Sequence, residues 1–144
     1  MKKIFLLVAL VSLICNIQAQ KLMTKEVPSA VSGAFSTSHP TIDNADWKRC
    51  GNDYEVNYME NKAEKCVKYD INGKLIQNSI EIKNTDLPKP AWDYVMANYK
   101  EIEFKDAYRV TSAKGVETYE AHLNDAALHF DSKGTFVKSE KHSK

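Results

Sequence analysis

Tyr69-Asp70-Ile71-Asn72-Gly73 and Phe130-Asp131-Ser132-Lys133-Gly134 carry one pattern: an aromatic, an Asp, two free positions and a Gly. In each, the Asp side chain can accept from the backbone ahead of it and the Gly can take a positive φ, so both stretches read as turns between two strands. Working outward, Tyr54-Glu55 before the first turn matches Tyr119-Glu120 before the second, and Val27-Pro28 matches Leu87-Pro88. Pro28 to Asp70 spans 42 positions and Pro88 to Asp131 spans 43, whereas the intervals to the Tyr-Glu pair differ, 26 against 31. Two loops have traded length around fixed elements. Two copies of about 50 residues form a pseudo-twofold pair of units, too few for a solenoid.

Each unit begins with helix chemistry. Val27, Ala30, Val31, Ala34 and Phe35 fall on one helical face, with Pro28 in the first turn, where a missing N–H costs nothing, and Pro40 as the stop. Pro88 and Pro90 open the second helix, Asp86 is placed to cap it, and Leu87, Ala91, Tyr94, Val95 and Tyr99 face the core. Strand alternation follows. Trp47, Tyr54, Val56, Tyr58, Val67 and Tyr69 share one parity in the first unit, as do Tyr108, Val110, Tyr119, Ala121, Leu123, Leu128 and Phe130 in the second. Period-two patterning with one apolar side describes an antiparallel sheet covered on one face. The expected fold is therefore α+β: tandem helix-plus-antiparallel-sheet units, 27–82 and 87–139, with both helices on one face of a curved, roughly eight-stranded sheet.

Residues 1–19 combine Lys2 and Lys3, an apolar run from Ile4 to Cys15, and Ala19 before Gln20, which is the layout of a signal peptide cleaved near Ala19. The run is short for a membrane span, and Ile14 before Cys15 does not suit lipid attachment. The expected location is periplasmic or secreted, with residues 20–144 as a single domain and no transmembrane segment in the mature chain. Without Lys2 and Lys3, the twenty basic side chains fall to 18 against 19 acidic ones. That near-neutral balance argues against a nucleic-acid partner. Cys50 and Cys66 could pair in an oxidising compartment, although a strand between them would hold them about 15–20 Å apart at ~3.3 Å per residue.

The opposite strand parity lists a helix-free face: Lys48, Glu55, Asn57, Met59, Cys66 and Lys68 in the first unit, and Arg109, Glu120, His122, Ala127 and His129 in the second. Protein-binding patches favour Tyr, Trp, Met and Arg, a bias that Met59 and Arg109 fit, and a solvated sheet face is the plain alternative. With Asn124-Asp125 as a two-residue turn, Glu120 opposes His129 and His122 lies one step along. Two imidazoles and a carboxylate are a possible zinc set, or simply a cross-strand ion pair. Asp70-x-Asn72-Gly73 lacks the later ligands of a calcium loop. Cys66 as a nucleophile would need a His base and an orienting partner, and a strand-face Cys more often packs or pairs; no Ser stands in a Gly-x-Ser-x-Gly setting.

Val27-Pro28, Ala34-Phe35, His39-Pro40, Trp47, Tyr54-Glu55 and Asp70-x-x-Gly73-Lys74-Leu75, followed by Asp86-Leu87-Pro88, Asn98-Tyr99, Tyr119-Glu120 and Phe130-Asp131-x-x-Gly134, resemble the PepSY-like family of exported bacterial proteins, itself similar to β-lactamase inhibitory protein. The likeness spans residues 27–138. It implies helices on one face of a curved sheet with the other face open; in β-lactamase inhibitory proteins that open concave face grips an enzyme. This chain places few aromatics on that face and shows no enzyme-probing loop.

The reading is an exported binding module, not an enzyme and without a cofactor, possessing a partner surface of Lys48, Glu55, Asn57, Met59, Lys68, Arg109, Glu120, His122 and His129. The expected partner is a protein of the cell envelope, with inhibition or regulation of an envelope enzyme as the role. The alternative is an envelope protein that binds metal or a small ligand through Glu120, His122 and His129.

Overall fold

The computed structural model describes residues 20–141, so the expected signal peptide lies outside the described residues. Among those residues, β1 (Gln20–Leu22), β2 (Ala45–Cys50), β3 (Asp53–Glu60), β4 (Ala63–Tyr69), β5 (Leu75–Ile82), β6 (Phe104–Ser112), β7 (Glu117–Leu123), β8 (Ala126–Phe130) and β9 (Phe136–Lys141) make one antiparallel sheet in chain order. Helices α1 (Ser29–Ser38) and α2 (Lys89–Asn98) interrupt the meander after β1 and after β5.

Nine strands replace the eight expected. The added one is β1, whose three residues are too short to show alternation. Leu22 pairs with Trp47 as Ile82 pairs with Ala107, so β1 stands beside β2 as β5 stands beside β6. Strand β5 thus serves twice, closing the first unit and opening the second.

Pro28 and Pro88 sit at the N-cap positions, with φ of −53 and −50, and not inside the first turn. The Pro28 carbonyl accepts from Val31 N and Ser32 N, and the Pro88 carbonyl from Ala91 N and Trp92 N. Asp86 belongs to a short 3-10 turn ahead of α2 and does not cap it. Each helix covers only its own unit. Val31 and Phe35 pack on Trp47, Val56, Tyr58 and Val67, whereas Ala91 and Val95 pack on Ala107, Ala121, Leu128 and Phe130. Burying each of these larger side chains contributes roughly 1.5–3 kcal/mol.

The repeated turns lock each sheet to its helix. Asp70 Oδ1 accepts from Asn72 N at 2.8 Å and Lys74 N at 3.0 Å; Asp131 Oδ1 accepts from Lys133 N and Thr135 N, both at 2.9 Å. Gly73 and Gly134 have φ of +79 and +81 and press against the first turn of α1 and α2 respectively.

One strand departs from the expected parity. Phe104 pairs with Leu123 on the helix side, but a bulge between Phe104 and Asp106 shifts the register, so that Ala107 is the next residue on that side, opposite Ala121. Counting in twos from Phe104 therefore inverts the strand. Tyr108 and Val110, expected in the core, lie on the helix-free face opposite Glu120 and Thr118; Arg109, expected on the helix-free face, lies on the helix side opposite Tyr119.

Candidate functional site

The helix-free face is built from rows of side chains that the strand register brings side by side. One row in the first unit runs Lys48, Glu55, Lys68 and Gln77 across β2 to β5. Its neighbour runs Asn57, Cys66, Ser79 and Val110. In the second unit Tyr108, Glu120, His129 and Lys138 form one row across β6 to β9, and His122, Ala127 and Glu140 form the next. Of the expected partner-surface residues, all but Arg109 lie on this face, and Glu120 opposes His129 in the expected register.

Much of this face is polar yet buried: Glu55, Lys68, Gln77, Ser79, Glu120 and His129 all belong to the buried set. Glu120 is the hub. Its Oε2 lies 3.2 Å from His122 Nε2 and its Oε1 lies 3.2 Å from His129 Nδ1. The second contact has the distance of a hydrogen bond without its alignment, since neither ring nitrogen of His129 meets the angular requirement. His129 Nε2 is 3.7 Å from Glu140 Oε2, Glu140 Oε1 also receives the Lys138 ammonium, and the Tyr108 ring lies over His122 at 4.9 Å between centroids. Burial raises the Glu120 carboxyl pKa, but the His122 hydrogen bond and the close approach of His129, together with the charge of both rings, outweigh it and hold the group at about 2.

The matching position in the first unit behaves in the opposite sense. Burial raises the Glu55 carboxyl, and the Asn57 amide 3.4 Å from its Oε1, with Lys48 and Lys68, only partly offsets that. Lys68 Nζ turns instead toward Asp53 Oδ2 at 3.9 Å.

Cys66 is a free thiol, so the possible bridge to Cys50 is not formed. Burial, then the Glu55 charge, pushes its pKa well up, which opposes a thiolate nucleophile. His122 and His129 each face a different oxygen of Glu120, and among the described residues no three His, Cys, Asp or Glu side chains converge as a metal-ion site. Sequence reasoning missed Tyr108, Gln77, Ser79, Lys138 and Glu140. Gln77 and Ser79 were legible in their alternation with Ile80 and Ile82, whereas Tyr108 was hidden by the bulge in β6, and Lys138 and Glu140 by the register shift that separates them from Phe136.

The family model described as "Putative beta-lactamase-inhibitor-like, PepSY-like" matches the chain twice, over residues 14–77 and 77–138. The boundary falls in β5, the strand the two units share. No curated protein sequence matches the chain. Among solved structures, a "putative periplasmic" protein from Bacteroides eggerthii superposes with a TM-score of 0.69 at 12% identity, over 80% of this chain and 88% of that one. A DUF2874 family protein from Bacteroides ovatus gives 0.65 at 15% identity, over 79% and 86%. A BLIP-like protein from Bacteroides fragilis gives 0.61 at 16% identity, over 81% and 86%. At such identities the likeness establishes the fold.

Proposed function

The chain belongs to the PepSY-like, beta-lactamase-inhibitor-like family, and from that premise we propose that it is an exported binding module, not an enzyme, whose helix-free sheet face receives a protein of the cell envelope. The observation that carries this reading is the composition of that face once the register is known. Exposed Met59 and half-buried Tyr108 stand among Lys48, Asn57 and His122, above the buried carboxylates Glu55 and Glu120. Met and Tyr are enriched where proteins bind, and fixed charges beneath them select the partner and its register. Export is supported by the signal-peptide layout of residues 1–19 and by solved relatives described as periplasmic. Among the described residues no helix is long and apolar enough to cross a membrane. Restraint of an envelope enzyme is the role most in keeping with the family.

The test is affinity capture from the native envelope fraction, with mass spectrometry to identify what is held. Wild type and a Lys89→Glu control, changed on exposed α2, retain one selective partner; the double variant Met59→Glu/Tyr108→Ala loses it. Retention by the double variant assigns the interaction to another face.

A further inference from the structure

Because each helix packs on its own unit, the strip of β5 and β6 between them is left uncovered on the helix side. The register sets five side chains in a row across it: Tyr58, Lys65, Ile80, Arg109 and Tyr119. A cleft of about 440 Å³ opens over this strip, of the size that small-molecule sites occupy. Its wall contains Lys65, Arg109 and His39 and no carboxylate; Leu75 and Ile80 are its partly exposed apolar lining, and the largely buried Tyr58 and Tyr69 lie at its floor. Lys65 and Arg109 flank Ile80 on the two neighbouring strands, with backbones about 10 Å apart.

We propose that this cleft is a second ligand site, separate from the partner face, for a medium-chain carboxylate: Arg109 receives the carboxylate, Lys65 supplies the second positive charge, and the hydrocarbon lies along Ile80, Leu75 and Tyr69. Arg109 is available for this exchange. Its present partner is Glu117 at 3.9 Å, and the two side chains are 46% and 44% exposed. Ion pairs so exposed are weak, and a guanidinium binds a carboxylate better through a two-pronged contact. Lys65 keeps Glu60, which lies outside the wall, and needs no release. Burial lowers the His39 pKa, so at neutral pH its ring adds an apolar flank and a hydrogen-bonding nitrogen rather than charge.

The test titrates octanoate into ¹⁵N-labelled protein, with n-octanol and octylammonium as probes of the same tail without the anion. Saturable amide shifts are expected at Lys65, Ile80 and Arg109, with a Kd on the order of 1 mM for a ligand of this size. Octanol and octylammonium should bind at least about tenfold more weakly, and Arg109→Gln should weaken octanoate by about tenfold with an unchanged Tm. Arg109→Lys, which keeps the charge, should recover part of that loss. Three outcomes overturn the proposal: no saturation, octylammonium binding as well as octanoate, or shifts centred on Glu120 and His129 instead.

Discussion

Glu120 Oε1 lies 3.2 Å from His129 Nδ1 across the β7–β8 pair, whereas the matching carboxylate of the first unit, Glu55, faces Lys68 across β3–β4. One fold position thus holds two buried acids of opposite character. Burial opposes ionisation in both. At Glu120 two imidazoles outweigh it, and at Glu55 the surrounding amide and ammonium groups do not. The duplicated fold kept the carboxylate and changed its electrostatics through its neighbours, Asn57 and Lys68 in one unit, His122 and His129 in the other.

The two acids should therefore respond to substitution with opposite sign. The Glu120 carboxyl falls from 4.5 to about 2 on folding, so its contribution is fully present above pH 4.5 and is lost as pH falls toward about 2. Glu120→Gln should cost on the order of 3 kcal/mol at about pH 5, and that difference should fade with acidification. Glu55 is raised on folding, so its ionisation costs stability once pH exceeds 4.5. Glu55→Gln should be silent in acid and neutral or stabilising at neutral pH. Urea unfolding of both variants across an acid-to-neutral series checks this, and parallel curves would contradict it.

Most of the architecture was readable because two independent signals agreed in each unit. The Asp-x-x-Gly turns fixed where hairpins close, and the Tyr-Glu alternation fixed which side of β3 and β7 faces the helices. Strand β6 conceals its parity because a bulge beside Phe104 breaks its alternation, and Ala107, standing where the first unit has Trp47, carries too little apolar bulk to reveal it. The consequence fell on the candidate site, which gained Tyr108 and lost Arg109. The burial of Glu120 and His129 was not readable at all, since it depends on how neighbouring rows crowd one another.

The turn glycines should be intolerant of alanine for two additive reasons. Both have positive φ, which L residues adopt at a cost of roughly 1–2 kcal/mol. A Cβ at Gly73 would also stand 2.3 Å from the Ala30 carbonyl oxygen, a backbone atom held in the first turn of α1, whereas one at Gly134 would meet the Pro88 Cβ at 2.7 Å. Gly73→Ala should cost on the order of 3 kcal/mol or more, and Gly134→Ala somewhat less. Denaturant midpoints of the two variants give the ranking directly; the reverse order would mean that α2 is the more rigid seat.

The hairpin between β3 and β4 offers a stabilising change. Asn61 and Lys62 both have positive φ, 54 and 66, which the tight two-residue turn requires. Asn tolerates that region, but Lys at the second position bears the steric cost, and Gly there would not. Lys62→Gly should raise stability by about 1 kcal/mol, visible as a higher Tm with an unchanged denaturant slope. A lower Tm would show that the Lys62 side chain contributes more than its backbone costs.

Cys66 supplies a chemical reading of the same face. Its thiol is 5% exposed on β4, and burial, with the Glu55 charge nearby, pushes its pKa well up. Both effects deny an alkylating reagent its nucleophile: the sulfur is out of reach, and the thiolate fraction at mildly alkaline pH is suppressed. Iodoacetamide should therefore modify Cys66 in the native protein on the order of 100-fold more slowly than in urea, because reaction waits on local opening. Glu55→Gln removes the adjacent charge without uncovering the sulfur, so it should accelerate native-state labelling only modestly, while opening of β4 should abolish the protection. Rapid native labelling of wild-type protein would show that the row Asn57, Cys66 and Ser79 is open to solvent and that Glu55 is not held in a low-dielectric setting.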